Sequence, residues 1–144
     1  MALPIDFSFD YEKPNSSRRS KMRTPVRLYL QDKNKTGGIL FISQKWLDSQ
    51  RLNGSEIALQ VKGMVDTYII FNPPKNAPRF KARPISPSKG TMAYSCTESV
   101  RKILSVFNPN VNTHEMWVDK VGTFNDSIVY RLRNLTEDDT IYAY

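Results

Sequence analysis

The chain has 144 residues, 40% of them hydrophobic, and carries 21 Lys and Arg against 14 Asp and Glu, a formal charge of +7. That length allows one domain, or two small units fused into one, with enough apolar residues for a packed core. The single cysteine, Cys96, excludes an internal disulfide and a Cys-based zinc site and suits a reducing, cytoplasmic compartment, while the basic balance points to a polyanionic partner such as nucleic acid, the alternative being a surface that is basic without a partner.

Residues 1–24 form the first unit. Their opening, MALPIDFSFDYEKP, has neither the basic start nor the long apolar run of a signal peptide, so none is expected. Within it PIDFSFDY alternates, with Ile5, Phe7 and Phe9 on one side, and is able to add an edge strand. EKPNSSRRSKMRTP is polar, basic and bracketed by prolines, and reads as an arm or linker.

VRLYLQ, from Val26, is a half-buried strand with Val26, Leu28 and Leu30 facing one way and Arg27 and Tyr29 the other. DKNKTGG is a turn in which Gly37 and Gly38 are free to take positive φ. ILFIS is a second strand. QKWLDSQRL, residues 44–52, is a short helix with Trp46 and Leu47 inward, and the NGS that follows puts Gly54 near the expected stop. EIALQVK and TYIIFN are two further strands around the turn GMVD.

PPKNAP, residues 73–78, breaks the pattern, because its prolines cannot donate ladder hydrogen bonds. The plan then recurs: a strand RFKARP, a turn ISPSKG, a strand TMAYSC and a helix TESVRKILSVF. That helix, residues 97–107, has Thr97 as its cap and Val100, Ile103, Leu104 and Phe107 at helical spacing. A turn NPNVN, a strand HEMWVDKV, a turn GTFND and a strand SIVYRLR complete the second copy. Gly38 and Gly90, like Ser43 and Ser95, stand 52 residues apart; Ile57 and Met116, like Leu59 and Val118, stand 59 apart. The larger offset fits a longer helix and turn in the second copy. The expected fold is therefore mainly β, a small barrel built from two β-β-α-β-β repeats at residues 25–72 and 79–134. The arm at residues 1–24, the linker at 73–78 and a tail at 135–144 complete the chain.

The first copy resembles the AbrB/MazE/SpoVT swapped-hairpin domain. Gly37 and Gly38 stand where that family has its turn glycine, FIS (from Phe41) where it has Ile-Pro, and RLNGSEI where it has its Leu-Gly-x-x-x-Gly-[Asp/Asn] turn. The sequence departs in having Ser43 and Ser95 at the proline positions, Ile39 and Thr91 where an arginine usually follows the glycine, and no leading glycine in the turn after the first helix. The family usually dimerises, each chain lending a hairpin to one barrel. The resemblance implies that two copies in one chain make that barrel alone, leaving the halves free to diverge, and that the first strand and following turn of each copy meet DNA. Residue by residue it carries over to Arg27 and Arg83, with Lys33, Lys35 and Lys89 in the turns.

The charge distribution agrees with that region. Arg18, Arg19, Lys21, Arg23, Arg27, Lys33 and Lys35 face one acid, Asp32, and Lys75, Arg79, Lys81, Arg83 and Lys89 face none. Such clusters gain affinity through counterion release and carry little sequence information; the alternative is that Lys-rich strand faces and turns block edge pairing. Tyr29 and Phe80 interleave with the charges, as half-buried strand residues or as packing for sugars and bases.

No catalytic constellation is present. His114 is the only histidine and lies on a strand; Cys96 has no histidine beside it in sequence and reads as a buried thiol. No enzyme activity, metal or cofactor is expected. No apolar run approaches the roughly 20 residues that span a bilayer, so no membrane partner is expected. Two functions remain open: a non-enzymatic protein that binds duplex DNA, possibly a transcriptional regulator, and a structural or assembly protein, such as a virion component. In the second, residues 1–24 and 135–144 grip neighbouring subunits.

Overall fold

A computed structural model describes residues 24–30, 37–62, 66–82, 90–107 and 111–139. Eight strands and two helices follow one another as β1 (Val26–Leu30), β2 (Gly38–Ser43), α1 (Gln44–Gln50), β3 (Glu56–Lys62), β4 (Asp66–Phe71), β5 (Phe80–Lys81), β6 (Thr91–Ser95), α2 (Thr97–Phe107), β7 (Thr113–Phe124) and β8 (Ser127–Arg133). All eight strands join one antiparallel sheet in the order β5-β3-β4-β8-β7-β1-β2-β6, and its two end strands touch, so the sheet is a nearly closed barrel. The mainly β fold expected from the alternating segments is the one observed.

Three hairpins of consecutive strands, β1–β2, β3–β4 and β7–β8, are joined by pairings between strands distant in sequence. β1 pairs with β7 of the other half, and β3 with β5. β2 pairs with β6 and β4 with β8. Exchanging the first four strands for the last four maps each of these pairings onto another or onto itself. The β2–β6 ladder is centred on Phe41 opposite Ala93, 52 residues apart, and the β4–β8 ladder runs through Ile70 opposite Val129, 59 apart. Two turn contacts correspond as well: Cys96 N donates to the Gly38 carbonyl at 3.1 Å, and Gln44 N to the Gly90 carbonyl at 3.0 Å.

Alternation decides which face is core. Val26, Leu28 and Leu30 of β1, Leu40 and Ile42 of β2, Ile69 and Phe71 of β4, and Tyr130 and Leu132 of β8 are all buried in one cluster. Each such side chain contributes about 1.5–3 kcal/mol by leaving water. Trp46, Phe71 and Tyr130 meet at ring distances of 5.1–6.2 Å and join α1 to β4 and β8. On α2 the buried Val100, Ile103 and Leu104 lie at i, i+3 and i+4 and turn one stripe toward the barrel.

Several boundaries differ from the sequence reading. α1 stops at Gln50, because Arg51 takes the left-handed conformation (φ 57°) and its N–H, with that of Leu52, returns to the last carbonyls. Gly54 is not that cap. It is needed for space: a Cβ there would lie 2.8 Å from Leu47 Cδ1 and 2.8 Å from the Tyr94 hydroxyl. Thr97 does not cap its own helix by side chain; its hydroxyl accepts from Gly38 N at 2.9 Å. β7 runs through GTF to Phe124, with an irregularity between Lys120 and Gly122. Only Asn125 and Asp126 turn the chain, both at positive φ as a two-residue hairpin of this hand requires. β5 is two residues long: Arg79 and Ala82 of its expected strand fall outside it, whereas Arg83, Pro84 and most of the following turn lie outside the described residues, as does the alternating PIDFSFDY.

Candidate nucleic-acid interface

The β2–β6 ladder organises the candidate face. Ser43 lies opposite Thr91 and Ile39 opposite Ser95, so Gly38 and Gly90 stand at opposite ends of the same pair of strands. The connection from β1 enters at Gly37 (φ 70°), and the connection from β5 enters at Gly90 (φ 66°). Six residues of strand separate these entry points, about 20 Å at 3.3–3.4 Å per residue. Lys33 and Lys35 belong to the first connection, Arg83 and Lys89 to the second.

Of the eleven basic residues expected at the interface, Arg27, Arg79 and Lys81 are described; Arg18, Arg19, Lys21, Arg23, Lys33, Lys35, Arg83 and Lys89 lie outside the described residues. Arg27 is on the outward face of β1, directly opposite Glu115 of β7, and its Nη2 donates to Glu115 Oε2 at 3.0 Å. Thr24 Oγ1 donates to Glu115 Oε1, also at 3.0 Å, holding the carboxylate in place. Arg27 is only 9% exposed. Its guanidinium is committed to the fold. Arg79 is held in the same way: Nη1 donates to Glu56 Oε1 at 2.9 Å, and Nη2 donates to the carbonyls of Pro73 and Pro74, fixing the proline-rich linker. Lys81, opposite Glu56 in the ladder, is exposed.

The two glutamates that hold these arginines went unrecognised in the sequence reading, although a signal existed. Glu56 and Glu115 stand 59 residues apart, each just before a member of the Ile57 and Met116 pair. Other arginines are paired too: Arg131 with Asp66, Arg101 with Glu98, and Arg133 with both Asp119 and Asp139. The described residues carry twelve Lys and Arg against ten Asp and Glu, whereas the remaining segments carry nine against four. The barrel body is nearly neutral, and the excess of positive charge belongs to the arm and the two connections.

Buried groups that titrate are held neutral. Burial pushes the Cys96 thiol up to about 12, despite a backbone hydrogen bond at Leu40 that favours the thiolate. It also raises the Tyr94 phenol, whose hydroxyl donates to the Gly54 carbonyl. In the tail, hydrogen bonds from Arg133 hold the Asp139 carboxyl down at about 2, with help from Thr136 N. His114 Nε2 lies 2.7 Å from Asn134 Oδ1. Among the described residues no group of three or more His, Cys, Asp or Glu is placed to hold a metal, and no helix is long and apolar enough to cross a membrane. A cleft of about 340 Å³ opens beyond the end of α1, between Arg51, Phe71, Asn72, Arg79 and Asp126. Comparison with protein-family models, with curated proteins and with solved structures finds no match to this chain.

Proposed function

We propose that the chain is a non-enzymatic DNA-binding protein, a single-chain version of the swapped-hairpin barrel, that grips the phosphate backbone through its two basic connections. The observation that carries this reading is the separation of those connections. They leave opposite ends of one ladder about 20 Å apart, on a scale that spans a groove of duplex DNA, roughly 12 Å wide for the major groove. Near-neutrality of the barrel adds support, since the charge excess falls in the connections and in the arm segment from Arg18 to Arg23. Contacts of this kind release counterions and give affinity without strong sequence preference. The test is fluorescence anisotropy of a labelled 30-base-pair duplex titrated with the full chain at low salt. Binding that weakens steeply as salt is raised is expected; a duplex left unbound at low salt ends this reading.

One observation favours a second reading, that of an assembly protein. Val121 and Phe124, near the tip of the β7–β8 hairpin, are 50% and 58% exposed, and neighbouring exposed apolar side chains are characteristic of contact sites. Size exclusion with light scattering separates the two readings. A monomer or dimer fits the DNA-binding protein, and a large defined assembly fits the structural one.

A further inference from the structure

Stretches distant in sequence close on the cleft beyond α1: the helix stop and the start of β3, the end of β4 with the proline linker, and the β7–β8 turn. Its volume, about 340 Å³, lies at the small end of ligand pockets, which run roughly 300–1,000 Å³. The floor is apolar: Leu52, Phe71 and Pro73 are buried and Ile128 is half-buried. One wall is braced. Arg79 ties Glu56 to the carbonyls of Pro73 and Pro74, so that side is fixed before anything enters.

The rim carries Arg51 and Arg79 against Glu56 and Asp126, and so is neutral as a whole. Arg79 and Glu56 answer each other. Arg51 and Asp126 are left over: among the described residues, neither side chain has a hydrogen bond or an ion pair. Both sit on left-handed backbone, at φ 57° and φ 70°, which residues other than glycine rarely adopt. Asp126 belongs to a turn that suits aspartate. Arg51 has no such excuse. The residue that stops a helix in this way is usually glycine, and the cap here is made by backbone N–H, without the arginine side chain. What arginine adds is a guanidinium on the rim of the cleft.

We propose that this cleft binds a free α-amino acid with an apolar side chain: its carboxylate on Arg51, its ammonium on Asp126, and its side chain over Phe71 and Ile128. Charge balance selects this class. A simple carboxylate would meet Asp126 and Glu56 as well as Arg51, and a simple amine would meet Arg51 and Arg79. A zwitterion satisfies both signs at once. The guanidinium fork suits the carboxylate, and the apolar floor takes a side chain out of water. The site stands whether or not the protein binds DNA.

The test is a titration of the full, isotope-labelled chain with L-leucine to millimolar concentration, followed by NMR amide shifts. Saturable shifts centred on Leu52, Ser55, Asn72 and Asp126 are expected. Leucine amide lacks the carboxylate and N-acetylleucine the ammonium, and each should bind about tenfold more weakly than leucine. Arg51→Gly removes the guanidinium while supplying the residue that such a helix stop prefers, and Asp126→Asn keeps a residue suited to its turn. Each should weaken leucine binding about tenfold without lowering the melting temperature. The absence of saturable shifts, or variants that bind leucine as the parent does, overturns the proposal. So does N-acetylleucine binding as tightly as leucine, which leaves a carboxylate site only. The titration uses the natural sequence, so it decides even if a variant does not fold.

Discussion

At the scale of single residues, strand register and packing fix what each side chain does. Arg27 has the right type and the right neighbours for a phosphate contact, yet strand register sets it against Glu115, 88 residues away. Register between distant strands is invisible in a local pattern, because each strand shows only which side is apolar. Gly54 makes the same point. Its position suggested a helix stop, but its role comes from Leu47 and Tyr94 packing against it. Gly54→Ala should therefore cost about 1–3 kcal/mol through overpacking, measured as a lower urea midpoint with an unchanged slope. Cys96, by contrast, was legible: an apolar strand end with no partner in sequence reads as a buried thiol, and it is 4% exposed. Its raised pKa fixes a sign. The unfolded thiol loses its proton from about 9 upward while the folded one holds it to about 12, so this group's stabilisation is complete below pH 9 and declines between 9 and 12. Cys96→Ala should flatten that part of the alkaline stability profile, followed by urea unfolding at stepped pH. Asp139 works at the opposite end. Its carboxyl is held down by Arg133, so its contribution is present above about 4 and fades as pH falls toward 2; Asp139→Asn should remove that acid-side slope.

Elements were easier to read than their ends. Alternation marked β1, β3, β5, β7 and β8 and helical spacing marked α2, because each depends on residues a few positions apart. β7 was cut short since glycine and threonine after Val121 look like a turn, whereas the two-residue turn at Asn125 and Asp126 sits three residues further on. α1 is the least self-sufficient element: at seven residues it is too short to hold together in water by itself. Two features keep it in place, the burial of Trp46 and Leu47 and the cap by Ser43, whose Oγ accepts from Trp46 N at 3.2 Å. The cap gives Ser43 a physical use at the junction of β2 and α1. Ser43→Ala should cost about 1 kcal/mol, read from thermal melting, while Ser95→Ala, whose side chain is exposed, should be close to neutral.

At the scale of the whole molecule, the sequence offsets of 52 and 59 residues, read there as a doubled order of elements, are also the separations of Phe41 from Ala93 and of Ile70 from Val129 in the sheet. Pairing between strands distant in sequence, such as β1 with β7, is not derivable from spacing, since any two alternating strands are able to pair. Pairing of β2 with β6 puts the entry points of the two basic connections at opposite ends of a single ladder. Removing charge from one connection at a time therefore tests the account most directly. The measurement is the slope of log binding constant against log salt for duplex DNA. The variants are Lys33→Ala with Lys35→Ala, Arg83→Ala with Lys89→Ala, and all four together. Each pair should lower the slope by about 1.8, at roughly 0.9 per lost phosphate contact, and the four together by the sum, with melting temperatures nearly unchanged. Slopes and affinities that match the parent chain in all three variants would contradict it.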